Sequence, residues 1–311
     1  MAARPWCDHA MNDPRPVPTL TATMTPFTAG ALGHFFPPLA GPAGVLLSGT
    51  QGHARSVGDG WAFEPAALWG WRAATDDGFV VVDPQGGVTR IDASGARTTP
   101  GASSGPDPML STAAVAWDPL RETLVLFGGA VGKRAVADTW EWRAGEWKRA
   151  KVKSKPAARG HAQMAWAPPL GGMLVTGGFA KREHFYDLAL YRGGAWEVWE
   201  HPAFSDTLLA AAFVACDAAS GQVVQGFWTS EPRGLGLWRH AGHRRWELAG
   251  RVAFPDVSSD IAGTFRMQSF LFALDPRTRS LVGVGYDNAL RPATLSVALG
   301  AWFDALAPVE V

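Results

Sequence analysis

The chain has 311 residues, 47% of them hydrophobic, and its 28 Lys and Arg residues equal its 28 Asp and Glu residues. A neutral chain without a concentrated run of cations is a poor candidate for nucleic-acid binding, because phosphate recognition needs clustered positive charge. The two cysteines, Cys7 and Cys216, are too few for a metal site of cysteine type, and we expect no disulfide between them.

Residues 1–28 contain five prolines and no apolar stretch of seven or more residues. This composition predicts an irregular tail and is not that of a signal peptide or a membrane span. We therefore expect one domain over residues 29–311, without membrane association. A cytoplasmic location follows, or a secreted one if the true start of the protein lies upstream.

The first two segments of this domain carry weak copies of a pattern that is clearer downstream. Residues 33–49 (GHFFPPLAGPAGVLLSG) match residues 160–178 (GHAQMAWAPPLGGMLVTGG). Residues 69–95 form a shorter, degenerate unit with two runs of strand-forming residues. Both segments are predicted to be repeat units of the same kind.

The third and fourth units define the repeat. Four residues of the third unit recur 49 positions later in the fourth: Trp117, Gly128, Asp138 and Trp147 return as Trp166, Gly177, Asp187 and Trp196. Runs rich in Val, Leu, Phe, Trp and Thr predict four strands in the third unit, at residues 112–118, 123–129, 138–142 and 146–150. A period near fifty with an internal Gly-Gly is typical of a β-propeller blade.

The fifth and sixth units continue the pattern through Gly226 to Trp246 and through Gly285 to Trp302. The Ala-rich run at residues 208–217 would form a helix by propensity alone. Its position in the repeat predicts a first strand instead. Six units result, centred near residues 45, 85, 128, 177, 225 and 283.

These units resemble kelch repeats, the blades of galactose-oxidase-type β-propellers. The residues that carry the resemblance are the double glycines, the third-strand aromatic residues and the fourth-strand tryptophans: Gly128, Gly129, Gly177 and Gly178; Trp140, Trp142 and Tyr191; Trp147, Trp196, Trp246 and Trp302. The resemblance implies an all-β fold of six four-stranded antiparallel blades, with seven blades as the alternative. It also implies that the repeat tryptophans pack between blades.

No catalytic motif emerges from the chain. Galactose-oxidase copper chemistry needs a cysteine beside a tyrosine and two histidines, whereas Tyr186, Tyr191 and Tyr286 fall at packing positions of the repeat. Residues 183–187 are similar to part of the iron motif of kelch-type specifier proteins, but the last position of that motif is Tyr191 here. We expect no metal and no cofactor.

Basic residues recur at one position of the repeat. In the aligned units, arginines fall in the loops between the second and third strands: Arg55, Arg134, Arg182, Arg233 and Arg291. The planar guanidinium binds carboxylate or phosphate with two hydrogen bonds, so five such loops could form a ring that binds anions. The alternative is that each arginine braces its own loop through a nearby aspartate, such as Asp138 or Asp187.

Two classes of function stay open at this point. The first is a non-catalytic module that binds a protein partner or an anionic small ligand on the strand 2–3 loop face, where His53, His184 and Arg159 would add polar groups. The second is an enzyme, such as a sugar isomerase, a lyase or a metal-assisted catalyst. Its active site would lie at the channel mouth and use His53, His184, Arg134 and Glu231.

Overall fold

The fold is taken from a computed structural model of the full chain. It describes residues 17–26, 38–49, 51–57, 60–65, 68–83, 85, 87–92, 95–99, 105–181, 183–199, 208–230, 233–242, 245–254, 271–286 and 292–307.

The regular secondary structure of the described chain is almost entirely β-strand. It begins with β1 (Thr19–Thr21) and β2 (Thr23–Pro26). Sheet A contains β3 (Leu39–Gly41), β4 (Gly44–Ser48), β5 (His53–Val57) and β6 (Gly60–Glu64). Sheet B contains β7 (Trp71–Ala74), β8 (Phe79–Val82), β9 (Val88–Asp92) and β10 (Gly95–Thr99).

The third and fourth sheets each carry an extra hairpin. β11 (Leu110–Ser111) precedes sheet C, which contains β12 (Ala114–Asp118), β13 (Thr123–Phe127), β16 (Thr139–Arg143) and β17 (Glu146–Arg149), with hairpin strands β14 (Ala130–Val131) and β15 (Arg134–Ala135). Sheet D contains β18 (Gln163–Ala167), β19 (Gly172–Thr176), β22 (Leu188–Arg192) and β23 (Ala195–Trp199), with hairpin strands β20 (Phe179–Ala180) and β21 (Glu183–His184). A 3-10 helix, Pro168–Leu170, joins β18 to β19.

The last two sheets are formed together with the N-terminal strands. Sheet E contains β24 (Leu208–Cys216), β25 (Val223–Ser230), β26 (Arg233–His240) and β27 (Trp246–Ala253). Sheet F contains β28 (Leu271–Asp275), β29 (Ser280–Tyr286) and β30 (Pro292–Ala298), and helix α1 (Gly300–Ala305) follows it. No helix in the described ranges is long and apolar enough to cross a membrane.

The strands predicted for the third unit are confirmed in sheet C. β13 is buried along its whole length, and it pairs with β12 on one side and β16 on the other. The degenerate second unit is a complete four-stranded sheet, and the Ala-rich run is strand β24. The repeat position therefore overrides helix propensity in β24, because burial between neighbouring sheets decides the element.

Sheets A to F of the described chain are arranged in a closed order. Their first strands are β3, β7, β12, β18, β24 and β28, and each contacts the next one along the chain. β28 in turn contacts β3, which closes the circle. The apolar clusters lie between adjacent sheets, as with Phe127 of sheet C and Val175 of sheet D. Several small antiparallel sheets packed in this way are consistent with a β-propeller.

The N-terminal strands correct two predictions, the irregular tail over residues 1–28 and a fourth strand at Trp302. β2 pairs antiparallel with β30 and supplies the outer strand of sheet F, while β1 pairs parallel with β27 of sheet E. Residues 19–21 and 23–26 are thus strands rather than irregular tail.

Trp302, predicted on a fourth strand, lies on α1 and donates to the Ala249 carbonyl at 3.1 Å. The edge position predicted for the chain end is occupied by β2 from the chain start.

Side-chain hydrogen bonds tie neighbouring sheets together. Trp196 of sheet D is buried and donates through Nε1 to Thr139 Oγ1 of sheet C at 2.9 Å. Trp147 is buried as well. The prediction that both tryptophans pack between sheets is therefore confirmed. Arg277 of sheet F donates to Ser56 of sheet A at 3.2 Å, which links the last sheet to the first.

Candidate binding surface

The loops between the second and third strands of sheets C and D share one construction. Each opens on a double glycine, and Gly128 and Gly129 have positive φ values of 68° and 99°. A side-chain carbon at Gly128 would lie 2.5 Å from the Arg159 carbonyl oxygen, so only glycine fits. Gly177 has the same constraint, since a side chain there would meet Ala211 at 2.3 Å. The backbone can therefore pass its neighbour closely before it turns into the exposed hairpin.

Arg159 is the centre of the hydrogen bonds beneath these loops. Its side chain is 1% exposed and binds the Asp187 carboxylate with both terminal nitrogens, the Nη2–Oδ2 distance being 2.9 Å. The same guanidinium donates to the carbonyls of Ala157 at 3.0 Å and Gly177 at 3.2 Å. It also lies 4.1 Å from the centre of the Phe185 ring. A guanidinium that is buried and makes four hydrogen bonds inside the protein is not available to an external ligand.

The backbone of Arg159 extends this connection to sheet C. Its N–H donates to the Val136 carbonyl at 3.2 Å, and its carbonyl accepts from Gly129 N at 2.8 Å. One residue therefore joins the loops of two sheets. Arg159 was predicted as a ligand-binding residue, but the structure makes it an internal brace that keeps both hairpins in place.

Asp138 and Asp187 are both paired, but with other partners than the sequence suggested. Asp187 binds Arg159, as described. Asp138 binds Arg149, and Lys155 Nζ lies 3.9 Å from its Oδ1. Arg134 makes no ion pair with any residue that the structure describes. The hypothesis that Arg134 braces its loop through Asp138 is therefore wrong.

Exposed cations without a carboxylate partner in the described chain gather on these loops. They lie at the tips of the two hairpins and on the connection between sheets C and D: Lys133, Arg134, Lys151, Lys153 and Lys181. Val152 packs against the apolar cluster between the two sheets, so Lys151 and Lys153 on either side of it are exposed. Hairpins β14–β15 and β20–β21 and residues 151–161 are called here the basic loop surface.

Contacts between its parts make this surface continuous. Lys155 joins the connection to the loop of sheet C through Asp138. Gly160 and Phe179 exchange two backbone hydrogen bonds of 3.0 Å, which join the connection to the hairpin of sheet D. The cations are therefore carried by segments that are attached to one another.

An aromatic group lies at the sheet D end of the surface. Phe179 is 39% exposed, and the His161 ring stacks on it with centres 4.7 Å apart and planes 9° from parallel. The His184 ring lies 5.7 Å from Phe179 at an angle of 43°. Desolvation lowers the pKa of His161 below that of a free imidazole, which favours the neutral ring. Phe179 is thus an apolar contact point between two imidazoles.

The structure does not assemble the predicted ring of five arginines from the residues it describes. Arg55 lies within strand β5 rather than in a loop, and it donates to the Asp92 carbonyl of sheet B at 2.9 Å. Arg233 is the first residue of β26, and its side chain lies outside the described part. Arg182 and Arg291 also lie outside it. Arg134 is the member that keeps its predicted place, exposed on a hairpin.

The histidines proposed for catalysis lie on different sheets. His53 is buried at the start of β5 in sheet A, with Nε2 3.4 Å from Glu64. His184 is exposed on β21 beside sheet D. Glu231 lies outside the described residues. In the part of the chain that the structure describes, no three His, Cys, Asp or Glu residues form a group that could hold a metal ion.

The sequence reasoning missed the connection between sheets C and D. The sequence pattern that marks this connection is the alternation of Lys151, Lys153 and Lys155 with smaller residues. The overall balance of charge concealed it, because most of the acidic residues that neutralise the chain lie elsewhere, although Glu183 on β21 is exposed on the same surface. Alternating lysines just before a first strand would have identified this segment as a cationic part of the loop face.

Comparisons with known proteins add little. No protein-family model matches the chain, and no curated protein matches it. Among solved structures, one titled "Structure of YjhT" is similar, with 12% sequence identity and a TM-score of 0.38, over 49% of this chain and 52% of that chain. The match spans about half of that structure's length.

Proposed function

We propose that the chain is a kelch-like β-propeller of six blades, sheets A to F, and that it acts as a non-catalytic binding module. Its binding site is the basic loop surface, and its ligand is an acidic protein partner or an anionic small molecule. The observation that carries the proposal is the group of five exposed cations without a described carboxylate partner. Exposed cations that no described carboxylate neutralises, carried on braced loops, favour ligand binding over a purely structural role.

Electrostatics supports an acidic ligand even though the net charge of the chain is zero. Several like charges on adjoining loops raise the local potential, and this attracts an anion before contact. The bracing by Arg159 lowers the cost of binding, since the loops need not be ordered when the ligand arrives. Lysines and arginines here would bind carboxylates at the rim, where salt screens them.

Phe179 favours a protein over a nucleic acid. A nucleobase binds an aromatic side chain by stacking on its face, but His161 already stacks on Phe179 and His184 lies close to it. The exposed part of the ring remains suited to an apolar side chain of a partner. A protein segment with carboxylates beside an apolar residue therefore fits the surface best. The absence of a nucleic-acid partner and the cytoplasmic location stay predictions.

The enzyme alternative, a sugar isomerase, lyase or metal-assisted catalyst, receives less support. General acid–base catalysis needs its groups within hydrogen-bonding reach of one substrate atom. His53 in sheet A and His184 beside sheet D are carried by sheets that do not adjoin in the ring order. A binding role needs no such convergence.

Charge reversal on the surface tests the proposal. The probe is a fluorescent polyglutamate peptide, and its affinity is measured by anisotropy at low and at physiological salt. The double variant Lys151→Glu/Lys153→Glu should bind about tenfold or more weakly than the unmodified chain, since two attractions of about 0.5–1 kcal/mol each become repulsions. Unmodified protein should also lose affinity as salt rises.

The matched control is Arg143→Glu. Arg143 is exposed at the opposite edge of sheet C, and it has no ion pair within the described ranges. This variant should bind polyglutamate as the unmodified chain does. Equal weakening by the control and the double variant would contradict a local site, and no binding at low salt would contradict the proposed function.

A further inference from the structure

The interface between sheets D and E contains a fully buried amide with no partner. Gln225 on β25 is 0% exposed, and neither its Oε1 nor its Nε2 has a hydrogen-bond partner among the described residues. It is two residues from Val223, which packs in the apolar cluster with Trp199 and Leu190 of sheet D. Side chains two residues apart share a face of a strand, so the amide of Gln225 points toward sheet D.

A second unpartnered polar atom lies on the next strand of the same face. His240 on β26 is 5% exposed, and its Nε2 has no hydrogen-bond partner in the described chain. Its ring stacks on Trp199 of sheet D with centres 5.8 Å apart, and it also contacts Trp246 at 5.3 Å. The imidazole is therefore enclosed between two indoles and faces the same interface as Gln225.

The strand register places these two groups within reach of one small molecule. Gln225 pairs with Trp238, and Val224 pairs with Arg239, so the next step of the register sets His240 opposite Val223. Gln225 and His240 are thus diagonal neighbours, with backbones about 7–8 Å apart. At this backbone separation one water molecule between the two side chains can make a hydrogen bond to each.

We propose that the interface between sheets D and E is a binding site for ordered water that bridges the Gln225 amide and His240 Nε2. Water suits this site because it both donates and accepts, as an amide oxygen, an amide N–H and an imidazole nitrogen together require. Buried waters are typically held by such otherwise unsatisfied groups. The apolar neighbours Val214 and Val223 supply no hydrogen bond. The bridge would link β25 and β26 of sheet E on the face that packs against sheet D.

A crystal structure of the full chain that resolves ordered solvent tests the site directly. The expected result is a solvent peak within hydrogen-bonding distance of a Gln225 amide atom and of His240 Nε2. The proposal would be overturned if no such peak were present and protein atoms alone enclosed Gln225 and His240. A peak that touches only one of the two side chains would overturn the bridge.

A double-mutant cycle tests the coupling without a crystal. Urea midpoints are measured for Gln225→Leu, His240→Phe and the double variant, since both replacements keep the approximate volume. Each single change should lower the midpoint, and the double variant should lower it by less than the two losses combined, because the first change already breaks the bridge. A higher midpoint for Gln225→Leu would overturn the proposal, since it would mean that the amide has no partner at all.

The control pair uses an unpartnered polar atom in a different interface. Trp142 lies in the cluster between sheets B and C, and its Nε1 also lacks a hydrogen-bond partner within the described part. Trp142→Phe combined with Gln225→Leu should give additive losses. Equal non-additivity in the control pair and in the Gln225–His240 pair would overturn a specific bridge.

Discussion

Replacement of Arg159 by alanine should destabilise the protein strongly. The change removes a guanidinium that is 1% exposed and leaves Asp187 without its cation and the carbonyls of Ala157 and Gly177 without a donor. Loss of one partner of a buried ion pair costs about 3–5 kcal/mol. Asp187 is 23% exposed, so water recovers part of its solvation. We therefore expect a loss of about 3–4 kcal/mol in the free energy of unfolding.

Urea denaturation followed by tryptophan fluorescence measures this loss. Arg159→Lys should recover only part of it, because an ammonium cannot make the two parallel bonds to Asp187. Hydrogen exchange should quicken in residues 128–138 and 177–187, the loops that Arg159 joins. As the control, Arg143→Ala at an exposed site should change stability by less than about 0.5 kcal/mol. A loss for Arg159→Ala no larger than that of the control would refute the bracing role.

Three further predictions concern the core, the chain start and a buried carboxylate. Trp196→Ala should lower the free energy of unfolding by about 3–5 kcal/mol, because it empties a buried site and removes a hydrogen bond to Thr139; an unchanged urea midpoint would show an exposed indole. Deletion of residues 1–26 removes β1 and β2 and should lower the melting temperature and speed exchange in β27 and β30, whereas equal exchange in both forms would contradict the pairing. Burial alone would raise the pKa of Asp217, but hydrogen bonds from Arg279 and Ser220 lower it overall. Its stabilisation is therefore complete above the unfolded pKa of about 3.9 and is lost as the pH falls below it, a dependence that Asp217→Asn should reduce in acid titrations of stability.

The strands were predictable where the repeat is regular. Sheets C and D follow from the 49-residue offset, since each strand of sheet D begins 49 residues after its counterpart in sheet C and the second strand is fully buried in both. β24 followed from alignment rather than propensity. In these units strand propensity and packing between sheets favour the same residue types, so either one predicts the strands.

The errors arose where loop length or chain connectivity differs between units. In sheet A only residues 49–52 separate β4 from β5, while residues 128–138 separate β13 from β16. Alignment with the longer loop therefore placed Arg55 in a loop, although it lies on a strand. The role of β2 was invisible because pairing between the two ends of a chain leaves no trace in a periodic pattern. The partner of Asp187 was missed because Arg159 is distant from it in sequence.

Hydrogen exchange with and without the polyglutamate peptide tests the central claim most directly. If the basic loop surface binds acidic ligands, the peptide should slow exchange in residues 130–135, 151–161 and 179–184 of the unmodified chain. The protection should disappear in Lys151→Glu/Lys153→Glu and persist in Arg143→Glu. Protection confined to the opposite edge of the sheets, around residues 119–122 and 143–146, would contradict the account.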